Sequence, residues 1–163
     1  MEIILPKIKS VETPRKILAT HFKFLNGELP IHGGWGYTQT DTCIINRNDN
    51  SIDPDLPFDW GEVEKFFVKN RTFEEMIISP PVGEKFTAIR WNLQKQNIAM
   101  TRGRVLDHLI FEITALREQD WEDPEKNGGP YFDLLVFEKK RQEKMVRLIR
   151  EFWFDITSCH EPF

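Results

Sequence analysis

Apolar and polar positions alternate most clearly from Val105 to Leu116, where Val105, Leu109, Phe111, Ile113 and Ala115 share one face and Asp107 is its single polar member. A period of two sends successive side chains to opposite sides of an extended chain, so the run predicts a half-buried strand. Tyr131 to Phe137 repeats the pattern, with Phe132, Leu134 and Val136 on a face. The loop between them, Gln119 to Pro130, is acidic and ends in Asn127-Gly128-Gly129-Pro130, which suits an antiparallel pair. Cys43-Ile44-Ile45 closes a further strand that begins near Trp35.

Helical spacing is strongest from Glu138 to Trp153. Met145, Leu148, Ile149, Phe152 and Ile156 recur at i, i+3, i+4, and Glu143 stands four residues before Arg147 on the wet side. Two segments admit either period. Thr13-Pro14 followed by Ile17, Leu18, His21, Phe22 and Leu25 has a cap, a stripe and an Asn26-Gly27 stop. Leu18, Thr20, Phe22 and Phe24 also alternate into a hairpin-forming Asn-Gly, and this strand reading is preferred. Asp59-Trp60-Gly61-Glu62 reads as a capping box opening a helix with Val63, Phe66, Phe73 and Ile77 inward, or as a hairpin turning at Lys69-Asn70-Arg71. Ser79-Pro80-Pro81 ends either element, because proline continues neither a helix nor a central ladder.

These elements predict an α+β fold: one domain over 1–163, mainly an antiparallel twisted sheet with the long 138–153 amphipathic helix packed on one face, and a flexible tail at 157–163. A length of 163 residues with 40% apolar content, including 13 Phe and 5 Trp, supports a core without disulfides or metal. The turn-rich stretch Asn46 to Pro57 is the nearest thing to a linker, and no repeat interrupts the chain. A net charge of −4 argues against a dedicated nucleic-acid binder. The N-terminus lacks the features of a signal peptide and no apolar run is long enough to span a bilayer, so a cytoplasmic protein without membrane contact is expected. Cys43 and Cys159 lie far apart with no paired spacing, as reduced thiols do.

Candidate chemistry concentrates at Leu29 to Tyr37, where Gly33, Gly34 and Gly36 are interleaved with His32, Trp35 and Tyr37. The spacing fits neither phosphate-binding glycine motif. It reads as a strand kink, or as an aromatic-lined ligand site made of His32, Gly33, Gly34, Trp35 and Tyr37. Catalytic candidates are confined to His32, Asp41 and Cys43, in which a base beside a thiol would raise its nucleophilicity. The histidines His21, His32, His108 and His160 show no metal-ligand spacing, and the Asn46–Asp55 loop lacks the glycine and glutamate of a calcium loop, so no metal or cofactor is expected. Asp107, alone on an apolar face, calls for a partner, for which Arg90 is a candidate, or for a raised pKa. From Glu138 to Glu151 six bases and three acids leave a net +3, and Lys140, Lys144 and Arg147 could meet an anionic partner.

Without a catalytic signature, the expected function is that of a stand-alone binding or protein-interaction module for a protein or small-molecule ligand. The alternative is a small-metabolite hydrolase or isomerase with its pocket at the Gly-aromatic loop around His32. The sequence leaves the oligomeric state open.

Overall fold

The computed structural model describes residues 1–22, 29–121 and 133–160. Its strands are β1 (Ile31–Gly33), β2 (Cys43–Ile45), β3 (Phe86–Thr101), β4 (Arg104–Arg117) and β5 (Val146–Asp155), and its helices α1 (Pro14–His21), α2 (Trp60–Phe73) and α3 (Leu134–Lys144). The five strands form one sheet in the order β1-β2-β5-β4-β3. Three of the pairings are antiparallel, whereas β2 runs parallel to β5, so the sheet is mixed.

β4 forms for the reason its pattern gives. Val105, Leu109, Phe111, Ile113 and Ala115 are buried on one face, joined from β5 by Val146, Leu148, Phe152 and Phe154. Phe67 of α2 meets this face edge-on, its ring centroid 6.2 Å from Phe152 and 5.4 Å from Phe154. Burial of each such ring contributes about 2–3 kcal/mol, and edge-to-face geometry adds roughly 1 kcal/mol per pair.

The outer edge of β5 is completed by three separate pieces of chain. Cys43 and Ile44 pair with Phe154 and Asp155, and Trp153 donates its backbone N–H to Gly36 at 2.6 Å. At the other end Ile3 donates to Arg147 at 2.8 Å and Arg147 to Met1 at 2.9 Å. The N-terminal segment is thereby drawn along the sheet.

Four expectations are corrected. The long C-terminal helix is not there: α3 ends at Lys144, and residues 146–155 are the central strand β5, whose parallel pairing with β2 makes the sheet mixed rather than purely antiparallel. Val146, Leu148, Phe152 and Phe154 alternate as a strand requires, but Arg150 holds the fifth inward position. A buried arginine hid the period of two, while Met145, Leu148, Ile149 and Phe152 matched a helix by coincidence. The strand expected at Tyr131–Phe137 is instead the first turn of α3 from Leu134, capped by Asp133, whose Oδ1 accepts from the N–H of Leu135 and Val136; Tyr131 and Phe132 lie outside the described residues. The run from Thr13 is helix α1 rather than strand, because Thr13 caps it and Pro14 opens it; its Asn26-Gly27 lies outside the described residues. Arg90 is not the partner of Asp107, which binds Gln96 instead.

α2 settles its two readings as a helix, capped by Asp59 through the N–H of Gly61 at 2.8 Å. The inward stripe differs from the expected one: Glu64, Phe67, Val68 and Arg71 are buried, followed by Glu74 and Glu75. Among the described residues no helix is long and apolar enough to cross a membrane.

Candidate functional site

α2 continues into a π-helical turn at Glu74–Ile78, closed by the N–H of Ser79 on the carbonyl of Glu74 at 2.9 Å. Such wide turns are energetically poor and recur where side chains must be aimed. Here both Glu74 and Glu75 point inward, beneath the N-terminal segment. Arg71 donates to Oε1 of Glu74 at 2.8 Å and to the Tyr37 hydroxyl at 2.8 Å. Tyr37 in turn donates to Oε1 of Glu75, and Arg150 Nε donates to Oε2 of the same carboxylate at 3.0 Å. Two guanidiniums thus face two carboxylates around one phenol, all five side chains buried. Burial, and then the Glu75 charge, push the Tyr37 phenol well above its ordinary pKa. His21 closes the cluster at its half-buried rim, with Nδ1 3.0 Å from Oε2 of Glu74.

The Gly-aromatic stretch exists to feed this cluster. Trp35 and Tyr37 are 7% and 2% exposed, and the Arg71 guanidinium lies 4.4 Å from the Trp35 ring centroid and 5.6 Å from that of Tyr37. Gly34 runs so close to Asp41 that an added Cβ would stand 2.7 Å from the Asp41 carbonyl oxygen, and Gly36 takes φ +78° to hand its own carbonyl to β5. Bulk at the first position or a side chain at the second would misplace Trp35 and Tyr37.

Both arginines reach past the acids to the N-terminal segment. Arg71 donates to the carbonyl of Ile8, and Arg150 to those of Leu5 at 2.9 Å and Pro6 at 3.3 Å. This tether leaves a cleft of about 570 Å³ beside the segment, walled by Leu5, Pro6 and Ile8 on one side and Pro80, Pro81 and Phe86 on the other. Glu75, Glu84, Arg117 and Gln119 also line it. The Arg117 guanidinium lies 5.5 Å from the Phe86 ring centroid.

A second buried polar group crosses the core between α2 and β4. Glu64 and Asp107 are 2% and 0% exposed, and Gln96 Nε2 donates to Oδ2 of Asp107 at 2.8 Å. Among the described residues, Oε2 of Glu64 and Oδ1 of Asp107 have no hydrogen-bond partner. Burial first, then the hydrogen bond and charge of Asp107, push the Glu64 carboxyl up to about 10, so Glu64 keeps its proton at neutral pH.

The residues expected to act together around His32 are dispersed. His32 and Cys43 sit one register position apart in the β1–β2 pair, where adjacent side chains take opposite faces: the imidazole is outside and the thiol buried. His32 Nε2 is 2.7 Å from Oδ2 of Asp49, which also accepts from Arg15 at 2.6 Å. The Arg15 guanidinium holds the Asp49 carboxyl well below the usual range. Asp41 pairs with Lys9 at 3.1 Å. Burial pushes the Cys43 thiol well above its ordinary pKa, which removes the thiolate a nucleophile needs. Lys140 and Lys144 lie on α3 but Arg147 on β5, so the basic stripe expected on one helix is split. Residues 157–159 form a 3₁₀ turn, and His160 packs on Trp60 with ring centroids 4.8 Å apart.

No protein family, curated protein or solved structure matches this chain.

Sequence reasoning missed Arg71 and Arg150 and did not separate Glu64, Glu74 and Glu75 from the other acids. The available signal was the spacing of Glu64, Arg71, Glu74 and Glu75 on one stripe of α2. On a helix such a stripe ordinarily faces water.

Proposed function

We propose that this protein is a non-catalytic binding module whose ligand occupies the cleft between the N-terminal segment 5–8 and the 79–86 loop. The observation that carries the reading is the cleft itself: apolar walls with a few convergent polar groups are what a binding site for a mainly apolar ligand requires. The charged groups behind it are already committed. Arg71 and Arg150 are spent on Glu74, Glu75 and backbone carbonyls, so they hold the wall in place rather than clamp a substrate. The Tyr37 phenol keeps its proton, and Glu75 accepts from two donors. An enzymatic reading centred on His32, Asp41 and Cys43 draws less support, because these side chains have separate partners.

Arg117, the cation of a lining whose acids are Glu75, already bonded to Tyr37 and Arg150, and Glu84, would pair with a single anionic group on a mainly apolar ligand. The fluorescent probe 1-anilinonaphthalene-8-sulfonate has that chemistry. Titrated into the folded protein, it should bind saturably at one site, and Arg117→Glu should weaken it about tenfold with the near-ultraviolet circular dichroism unchanged. Filling the cleft with Pro81→Trp should abolish the saturable phase. Binding that is indifferent to both substitutions would overturn the assignment.

A further inference from the structure

The β3 edge of the sheet is open, and its chemistry specifies what could close it. Residues 92–100 are exposed along the whole outer half of the strand, including Leu93, Ile98 and Met100, the last 81% exposed. β3 turns into β4 through Arg102 and Gly103, both at positive φ (+53° and +77°), the conformation of a two-residue hairpin loop. Thr101 and Arg104 flank that loop as paired residues. In such hairpins the flanking pair is hydrogen-bonded, and bonded and unbonded pairs then alternate along the ladder. Thr101, Ala99 and Asn97 therefore bond to β4, while Met100, Ile98 and Gln96 turn their N–H and C=O groups to the outer edge. Among the described residues no backbone group bonds to that edge.

Charge selects among the strands that could add there. Within β3 the charged residues are Arg90 and Lys95, both cationic, with Arg102 following in the turn; Lys85 and Arg104 are engaged by the Ile77 carbonyl and by Asp155. A second copy of this edge would bring like charges together, which cross-strand pairing disfavours. The two faces differ as well. Ile98 and Met100 stand on the side of Val105 and Asp107, whereas Lys95 and Asn97 stand on the side of Ile110 and His108.

We infer that β3 is a docking edge for an extended acidic segment of a partner protein, added as a sixth strand through the backbone groups of Gln96, Ile98 and Met100. The segment alternates acids, which lie toward Lys95, with apolar side chains, which cover Ile98 and Met100. Backbone pairing provides the affinity and the alternation provides the selectivity, as in other strand-addition complexes. This surface is separate from the cleft beside residues 5–8 and does not depend on it.

The test uses a capped synthetic peptide alternating Glu and Val, with a Lys–Val peptide as control, against the full chain. The Glu–Val peptide should slow amide hydrogen exchange at Gln96, Ile98 and Met100, and added salt should weaken it. Lys95→Glu should reduce its affinity about fivefold to tenfold and reverse the preference between the peptides. Ile98→Pro, which removes an outward N–H, should abolish binding; a Val-N-methylated peptide gives the same readout should that variant not fold. Arg117→Glu should leave this binding unchanged even where it removes binding at the cleft. The inference is overturned if those amides gain no protection. It is equally overturned if they become protected with rising protein concentration alone, which marks a second copy, or if a single-stranded oligonucleotide protects them in preference to the peptide.

Discussion

Replacing Glu64 by Gln should make the protein more stable above neutral pH while leaving it nearly unchanged in mild acid. In the folded state the carboxyl titrates near 10, because it is buried and beside Asp107; in the unfolded chain it titrates near 4.5. Between those values the folded protein holds one more proton than the unfolded chain. Stability therefore falls as pH rises across that window, by about 1.4 kcal/mol per pH unit from this one group. The contribution is complete below the unfolded pKa and is gone above the folded one. From about pH 5 to about pH 8 the loss amounts to roughly 4 kcal/mol, a large share of the 5–15 kcal/mol of an ordinary domain. A glutamine has no proton to lose, and its amide can still donate to Oδ1 of Asp107. Urea denaturation followed by tryptophan fluorescence, at a series of pH values and constant ionic strength, measures both proteins. Their curves should converge near pH 5 and diverge steadily toward alkali, Glu64→Gln lying higher. Taking the difference cancels the titration of every other group. A difference that stays constant from acid to alkali would refute the buried, protonated Glu64 carboxyl. Asp107→Asn should end the fall in stability at a lower pH without abolishing it, because it lowers the folded-state pKa of Glu64 while burial, the larger cause of the shift, remains.

Arg71→Ala should cost about 3–5 kcal/mol in the same assay, since it leaves the buried Glu74 carboxylate without its guanidinium and takes a donor from the Tyr37 hydroxyl. Arg71→Lys should recover little of this, because one ammonium cannot serve Glu74, Tyr37 and the Ile8 carbonyl together; full recovery would count against the tethering role. In a Cys159→Ser background, Cys43 should react with a thiol reagent at least about a hundredfold more slowly in buffer than in urea, as its reaction waits on an opening of roughly 3 kcal/mol or more. Rapid labelling of the folded protein would restore Cys43 as a candidate nucleophile.

The sequence pattern was legible wherever burial and hydrophobicity coincide. β4 follows its alternation almost residue for residue, and Asp59 marks its helix by capping chemistry, whereas the cap at Thr13 was outweighed by the alternation of Leu18, Thr20 and Phe22. It misled where a charge is buried. Arg150 at the centre of β5 broke the period of two, and Glu64, Arg71, Glu74 and Glu75 gave α2 an inward stripe that reads as a wet one. Asp107 was recognisable as a buried acid, yet the Glu64 carboxyl beside it comes from α2, far off in sequence, and no local spacing announces such a pair. The same holds for the cleft, whose two walls come from residues 5–8 and 80–86. Tertiary juxtaposition made these sites.

The central position of β5 also sets an order of events. It follows in the chain every strand that it joins: β4, β2 and the segment of residues 1–3 all bond to it, the last across more than a hundred intervening residues. During synthesis the β3–β4 hairpin and the helices can form by local contacts, but β1, β2 and the N-terminal segment have no sheet to join until β5 emerges. Such long-range closure slows folding and prolongs the exposure of unpaired edges. Released chains truncated before residue 146 should therefore be held by chaperones or digested by protease, whereas chains that include β5 should resist.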